Sequence, residues 1–259
     1  MKQKLSVVKI GGNIIEDVQG LSHLLELFSQ MDGHKILVHG GGKKATEIGN
    51  KLGVEAKMTN GRRITDSQSL DVAIMVYGGL VNKKIVAQLQ ALHCNTIGMS
   101  GADGNSIIAH KRPVKEIDFG LVGDVDSINS NNIASLLKAE FTPVFCALSH
   151  DGKGQLFNTN ADTIAAELAS GMSNEFETTL YYCFEKKGVL QNIDDENSVI
   201  QHIDSKNYKE LIAKGTIADG MLPKMHNCFQ ALQNNVKQVC IGDSEMLQGT
   251  TTNFTTLTL

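Results

Sequence analysis

The chain has 259 residues, and 24 Lys and Arg residues against 28 Asp and Glu residues give a net charge of −4. This length suits one large α/β domain or two lobes, and the slightly acidic balance argues against a general nucleic-acid or membrane-surface role. No segment approaches the roughly 18 apolar residues of a membrane helix. The five cysteines form no CxxC pair, which is typical of free buried thiols, so we expect a cytoplasmic protein.

Apolar runs and helical patterns alternate along the chain. The runs predict strands at 5–10, 35–38, 95–100, 141–148, 178–183 and 236–242. Apolar residues at helical spacing predict helices at 20–31, 43–53, 161–171 and 224–234. This alternation indicates an α/β fold whose mostly parallel sheet is covered on both faces. The polar segment 111–129 predicts a hairpin-and-loop excursion, and the polar run 170–175 predicts a boundary between two lobes.

Glycines follow three of the predicted strands. They are Gly11-Gly12 after the first strand, Gly40–Gly42 after the second, and Gly101 and Gly104 after the third. Bare backbone amides at the start of a helix bind anions, and the carboxyl ends of parallel strands share the edge where ligands gather. The chain has no Walker motif and no dinucleotide fingerprint after its first strand. The glycines therefore predict an anion site of another kind.

Two lysines lie at positions where a bound phosphate would neutralise their charge. Lys9 lies near the end of the apolar first strand, directly before the first glycine turn. Lys224 follows Pro223 at a predicted helix start, where the helix dipole disfavours a cation unless an anion is present. Both positions predict phosphate-binding lysines.

Polar side chains that suit a carboxylate substrate occur in two further segments. Arg62 and Arg63 lie in the turn NGRRIT, and an arginine fork binds a carboxylate with two parallel hydrogen bonds. In NTNAD, Asn158, Asn160 and Asp162 alternate at the start of a predicted helix. Asn160 is best interpreted as the helix cap, whereas the Asp162 carboxylate in the first turn is suited to orienting nearby lysines.

Taken in order, seven segments resemble the N-acetyl-L-glutamate kinase family of the amino-acid kinase superfamily. They are VVKIGGN, VHGGGKKATEIGNKLG, NGRRIT, GMSGADGN, GLVGDV, GQLFNTNADTIAAELA and DGMLPK, and the resemblance runs from residue 5 to about residue 234. It implies a three-layer αβα sandwich with a mostly parallel central sheet. It also implies that ATP with Mg²⁺ phosphorylates the γ-carboxylate of N-acetyl-L-glutamate, a step of arginine biosynthesis.

The resemblance divides the chain into two functional lobes. Residues 1–172 would bind the acylglutamate and form a dimer, and residues 173–259 would bind the nucleotide. At the phosphates, it implies that Gly11 and Gly12 donate backbone N–H groups. Lys9 and Lys224 would neutralise the transferring phosphoryl group, and Asp162 would hold both lysines in place.

For the acceptor substrate, the resemblance implies four binding residues. Gly41 and Gly42 would donate N–H groups to the carboxylate that becomes phosphorylated. Arg63 would bind the α-carboxylate, and Asn158 would bind the acylamino group beside it. Small molecules are thus the expected partners, with no nucleic acid and no membrane.

The chain departs from the family pattern in one internal segment and leaves two functional questions open. Family members usually carry Thr/Ser-Asp-Val after the strand near 180, whereas this chain has CFEKKG at 183–188, so the adenine contacts around 184–188 stay undefined. Because the first strand starts at about residue 5, we expect a homodimer without arginine feedback. A succinyl acceptor, or a non-catalytic amino-acid sensor on the same fold, are the alternative interpretations.

Overall fold

The computed structural model describes residues 2–59, 62–217 and 221–259. Its strands are β1 (Lys4–Ile10), β2 (His34–His39), β3 (Lys57–Thr59), β4 (Arg62–Ile64), β5 (Thr96–Met99), β6 (Ile107–Lys111), β7 (Gly123–Ile128), β8 (Thr142–Cys146), β9 (Leu148–His150), β10 (Leu156–Asn158), β11 (Glu177–Cys183), β12 (His202–Ile203), β13 (Gln238–Gly242) and β14 (Thr255–Leu257). Its α-helices are α1 (Gly12–Glu16), α2 (Val18–Gln30), α3 (Gly42–Lys51), α4 (Ser67–Ala73), α5 (Asn82–Ala91), α6 (Ser130–Lys138), α7 (Ala161–Met172), α8 (Ser205–Ala213) and α9 (Met221–Gln233). A π-helix, Ile74–Val81, joins α4 to α5.

The elements predicted from the sequence are confirmed. The predicted strands correspond to β1, β2, β5, β8, β11 and β13, and the predicted helices correspond to α2, α3, α7 and α9. The polar excursion contains β7 and the loop before it, whereas β6, the other strand of this antiparallel hairpin, begins four residues earlier at Ile107. In the part of the chain that is described, no helix is long and apolar enough to cross a membrane.

The chain divides into two compact units. The first comprises Met1–Ile36 and Ala165–Leu259, and the second comprises Leu37–Ile164. The later division therefore falls inside α7, whereas the predicted lobes meet after Met172. Those lobes are assignments of function, and they stay predictions.

The first unit is built around a sheet in the strand order β12-β14-β13-β11-β1. β11 lies between β1 and β13 and is parallel to both, and β14 at the far side of β13 runs antiparallel to it. Val7, Leu180 and Val239 are fully buried on these strands, so a continuous apolar core fixes their register. The α2 helix also contributes buried residues to this unit, including Leu24 and Phe28.

The second unit carries three parallel strands, with β8 between β2 and β5. A smaller sheet has the order β10-β9-β6-β7, and β3 and β4 form a short hairpin. Helices flank the parallel strands and bury apolar residues such as Ile85 of α5 and Leu137 of α6. The predicted α/β class with mostly parallel strands flanked by helices is confirmed, and the β2 strand delivers its carboxyl end to the glycine turn described next.

Candidate active site

The second glycine turn joins β2 to α3. β2 ends at His39, and α3 begins at Gly42, with Gly41 as the residue before the helix. Gly41 has φ 157° and ψ 18°, and a Cβ added there would lie 2.9 Å from Cδ1 of Tyr77. Only glycine fits this backbone and this spacing. The first amides of a helix have no acceptor within it, so the turn presents N–H groups suited to an anion.

Replacing Gly41 with Ala should disrupt this turn. We expect the KM for the substrate bound there to rise by about tenfold or more, because strained backbone and a displaced aromatic ring together cost on the order of 1–3 kcal/mol. Gly40→Ala is the matched control, since a Cβ there would meet only the Ala161 Cβ at 3.8 Å. Steady-state kinetics of both variants tests this, and equal effects of the two substitutions would contradict it.

Arg63 of β4 is held against the first turn of α3. Its Nη2 donates to the Gly42 carbonyl at 2.9 Å and to Oγ1 of Thr46 at 2.7 Å. The side chain of Tyr77, which is 4% exposed, lies close enough to Arg63 for the guanidinium charge to act on its hydroxyl. Burial raises the pKa of Tyr77, and Arg63 partly opposes that shift. A guanidinium fixed beside helix amides is well placed to bind an anionic substrate together with them.

Asn158 is anchored by hydrogen bonds to Thr65 and Leu121. Its Nδ2 donates to Oγ1 of Thr65 at 3.0 Å. Thr65 follows Arg63 by two residues and is fully buried. Main-chain bonds also connect Asn158 to Thr65 through Leu121. The Asn158 N–H donates to the Leu121 carbonyl, and the Leu121 N–H donates to the Thr65 carbonyl. Arg63 thus contacts the start of α3, and Asn158 is bonded to the residue two positions after Arg63; their assignment to the acceptor substrate stays a prediction.

Three residues that contact Arg63 or Asn158 were not predicted from the sequence. Thr46 accepts a hydrogen bond from Arg63, Tyr77 lies near the same guanidinium, and Thr65 accepts a hydrogen bond from Asn158. Thr46 lies one helical turn after Gly42, so helical spacing offered a signal for it. Tyr77 lies in the π-helix, an element found often at functional sites, and nothing in the local sequence pattern indicated it.

His39 is the buried polar residue of the glycine turn. It is completely buried, its Nδ1 donates to the Gly40 carbonyl at 2.7 Å, and its Nε2 lies 3.0 Å from Nδ2 of Asn82. Burial lowers the pKa of His39 to about 4; the hydrogen bond to Gly40 opposes the shift and the charge of Lys83 adds to it. The imidazole is thus neutral at physiological pH.

The lowered pKa of His39 predicts a pH dependence of stability. The unfolded chain binds a proton at this residue below its ordinary pKa of 6.5, whereas the folded chain does so only below about 4. The free energy of unfolding should therefore fall as pH drops from 6.5 to 4, by at most roughly 3 kcal/mol from this group. Nearby Cys146, whose pKa burial raises to about 12, does not titrate in that range.

Urea unfolding of the wild type and of His39→Asn between pH 4 and 7.5 measures this contribution. The variant should show a shallower slope between pH 4 and 6.5 than the wild type, because it has no imidazole to be protonated on unfolding. Identical slopes in the two proteins would contradict the assignment.

The first unit holds the predicted glycine turn that follows β1. Lys9 is the last residue but one of β1, opposite Tyr182 in register, and it is half-buried. The amide of Gly11 donates to the Cys183 carbonyl at 2.9 Å, and the assignment of this turn to a phosphate stays a prediction. Gly12, the first residue of α1, has open space around its Cα, since an added Cβ would meet no atom within 4 Å.

Lys224 lies in the first turn of α9, as predicted. Its Nζ lies 4.8 Å from the ring centroid of Phe184 and 5.9 Å from that of Tyr182. Such distances allow cation–π attraction. Phe184 belongs to the segment that departs from the family pattern, so that departure places an aromatic ring under this lysine. Asp219 and Gly220, the first two residues of the motif DGMLPK, lie outside the described residues, as do Asn60 and Gly61 of NGRRIT.

Asn160 and Asp162 take the positions expected at the start of α7. The Oδ1 of Asn160 accepts from the amides of Asp162 at 2.8 Å and Thr163 at 3.2 Å, which confirms its role as the helix cap. Asp162 is half-buried in the first helical turn.

Comparison with known proteins assigns the chain to a family. The model of the amino acid kinase family matches residues 4–243, and the chain belongs to this family. It is 52% identical over 241 residues to the acetylglutamate kinase of Phocaeicola vulgatus, covering 93% of this chain and 94% of that protein. It is 50% identical over 248 residues to the acetylglutamate kinase of Parabacteroides distasonis, covering 95% and 97% of the two chains.

The fold comparison agrees with the family assignment. The structure of a carbamate kinase from Giardia matches with a TM-score of 0.71 at 12% identity, over 99% of both chains. This likeness concerns the fold alone, and it confirms the predicted amino-acid kinase fold. The resemblance to acetylglutamate kinases predicted from the sequence motifs is confirmed as well.

Proposed function

We infer that this chain is a kinase that transfers the γ-phosphoryl group of ATP to the γ-carboxylate of N-acetyl-L-glutamate. The products are ADP and N-acetyl-L-glutamyl 5-phosphate, an intermediate of arginine biosynthesis. The observation that carries this inference is the identity of 50–52% to acetylglutamate kinases over nearly the whole of both chains. A succinyl acceptor or a non-catalytic sensor is not favoured, because the relatives are named as kinases of the acetylated substrate.

The hydrogen bonds of Arg63 and Asn158 in the second unit support a role of these residues in binding the acceptor. We propose that Arg63 binds the α-carboxylate and that the amides of Gly41 and Gly42 bind the γ-carboxylate. Asn158 would bind the acylamino group between them. Support comes from the bond of Arg63 to the Gly42 carbonyl and from the bond of Asn158 to Thr65, two residues after Arg63 in the chain.

The reaction needs positioning and charge neutralisation rather than a general base. A γ-carboxylate has an ordinary pKa of about 4.3, so it is already ionised at neutral pH. One of its oxygens forms a bond to the γ-phosphorus, and the bond from that phosphorus to the bridging oxygen breaks, so ADP leaves. The enzyme then has to hold two anions in line and stabilise the charge of the transferring group.

We propose that the chain's own cations and amides perform this stabilisation. Lys9 and Lys224 would neutralise the transferring phosphoryl group, and Asp162 would orient the two lysines. The Gly12 amide is the phosphate donor that remains in the first turn, because the Gly11 amide already has an acceptor. ATP would arrive as its Mg²⁺ complex, with the ion held mainly by phosphate oxygens and water.

Three further proposals rest on the sequence resemblance and composition. We propose a homodimer without arginine feedback, in which residues 1–172 bind the acylglutamate and residues 173–259 bind the nucleotide. We also propose a cytoplasmic location, which the five free, buried cysteines support.

A coupled ADP-release assay tests the proposed function. Purified protein is given ATP and Mg²⁺ with N-acetyl-L-glutamate, N-succinyl-L-glutamate, L-glutamate or carbamate as the acceptor. Turnover with N-acetyl-L-glutamate at the highest kcat/KM is expected. A higher kcat/KM with any other acceptor would move the substrate assignment, and the absence of turnover with all four would overturn the kinase assignment.

A further inference from the structure

We propose that His39 and Asn82 form a positioning pair that fixes the direction of the Gly41 amide. The proposal rests on the proposed function in one respect, namely that this amide binds the acceptor carboxylate. Neither residue touches the substrate in this account. They act through the Gly40–Gly41 peptide, whose orientation decides where the N–H group points.

The first part of the argument is the contact between His39 and its own neighbour. The Nδ1 of His39 donates to the Gly40 carbonyl at 2.7 Å, and His39 is completely buried. In a trans peptide the carbonyl of one residue and the N–H of the next point in opposite directions. Because the Gly40 carbonyl is held toward the buried imidazole, the Gly41 N–H is directed away from it.

The second part is the residue that fixes the tautomer of His39. The Nδ2 of Asn82 lies 3.0 Å from Nε2 of His39 and donates to the Val144 carbonyl at 2.9 Å. The Asn82 Oδ1 accepts from Nζ of Lys83 at 3.2 Å. With a carbonyl on one side and an ammonium on the other, the amide of Asn82 has one orientation. Its N–H group meets Nε2, so Nε2 accepts and the proton is on Nδ1.

The third part is the burial of the pair. Asn82 of α5 is 1% exposed, and its contacts with His39 of β2 and Val144 of β8 bury two polar side chains against these strands. Buried polar groups are costly unless their hydrogen bonds are satisfied, and apolar residues would fill this volume at lower cost. All polar groups of this pair have partners, and the last partner is the Gly40 carbonyl. Without the pair the Gly40–Gly41 peptide could rotate, and its amide would then point away from the carboxylate.

Two substitutions of His39 separate positioning from packing. His39→Asn keeps an amide nitrogen near the position of Nδ1 and so keeps a donor for the Gly40 carbonyl. His39→Gln places its polar group near the position of Nε2 and loses that donor. Both shorten or alter the buried side chain, so a purely structural role predicts similar losses in the two variants.

The measurement is KM for N-acetyl-L-glutamate and for ATP, with the unfolding temperature of each variant. We expect His39→Gln to raise the KM for N-acetyl-L-glutamate about tenfold, the effect of one lost hydrogen bond, with His39→Asn staying within about threefold of wild type. The KM for ATP should not change in either. Equal KM values for N-acetyl-L-glutamate in the two variants, or parallel rises for both substrates, would overturn the proposal.

Asn82→Ser is the second variant, for the case that substitutions at His39 prevent folding. It removes the group that holds the tautomer while keeping the imidazole, and we expect the same selective rise in KM for N-acetyl-L-glutamate. An unchanged KM would count against the pair. The wild-type assay is run first, so a failure of the proposed function is seen as absent turnover, which is distinct from wild-type kinetics in the variants.

Discussion

Replacing Lys224 with Met should lower kcat by about 10²- to 10³-fold, because a fixed positive charge is worth most where negative charge is transferred. The KM for N-acetyl-L-glutamate should change little, since this lysine is assigned to the phosphoryl group and not to the acceptor. Lys224 lies in the first turn of α9 above the Phe184 ring, where its charge is oriented. Single-turnover kinetics with saturating ATP isolates the chemical step.

Lys214→Met is the matched control for this substitution. Lys214 directly follows α8 in the same unit and is exposed, and its ion pair with Glu210 spans 4.0 Å. Removing its charge changes the net charge of the protein equally, so kcat should stay at the wild-type value. A similar loss in both variants, or a wild-type kcat in Lys224→Met, would contradict the role given to Lys224.

Arg63→Lys should raise the KM for N-acetyl-L-glutamate by about 10- to 100-fold, with a smaller effect on the KM for ATP. An ammonium cannot reproduce the planar fork, and a lost charge-assisted hydrogen bond costs about 1.5–3 kcal/mol. The fork is also tied to the Gly42 carbonyl and to Thr46, so its loss loosens the start of α3. Steady-state kinetics with varied acceptor measures the effect.

The neighbouring arginine supplies the control. Arg62 is exposed, whereas Arg63 is half-buried, and both lie in β4. Arg62→Lys should leave both KM values near wild type, because surface arginines contribute little when their charge is retained. If Arg62→Lys impairs acceptor binding as strongly as Arg63→Lys, the assignment of the α-carboxylate to Arg63 is wrong.

The main strands and four helices could be predicted because burial imposes a period on the sequence. β1 and β11 are short apolar runs that end in or near glycine, and α2 repeats leucines on one face. The segment from α4 to α5 was not predicted. Its central part, Ile74–Val81, is apolar on every side and contains two glycines, so it carries no helical period, and tertiary packing decides its π-helical form.

The candidate site was predictable to the extent that its chemistry lies in local motifs. Glycines at strand ends indicate exposed backbone amides, and an arginine in a polar turn such as NGRRIT indicates a carboxylate-binding group. Thr65, Tyr77 and Asn82 were not predictable, since each acts through a partner distant in sequence. The bond of the Gly11 amide to the Cys183 carbonyl of a neighbouring strand was not predictable for the same reason.

The most direct test of the account is to trap the product of the wild-type protein. The protein is incubated with ATP, Mg²⁺ and N-acetyl-L-glutamate in the presence of hydroxylamine, which converts an acyl phosphate to a stable hydroxamate. The account predicts N-acetyl-L-glutamyl hydroxamate in an amount equal to the ADP released, with the hydroxamate on the γ-carbon. ADP release without hydroxamate, or with a hydroxamate on the α-carbon, would contradict phosphorylation of the γ-carboxylate.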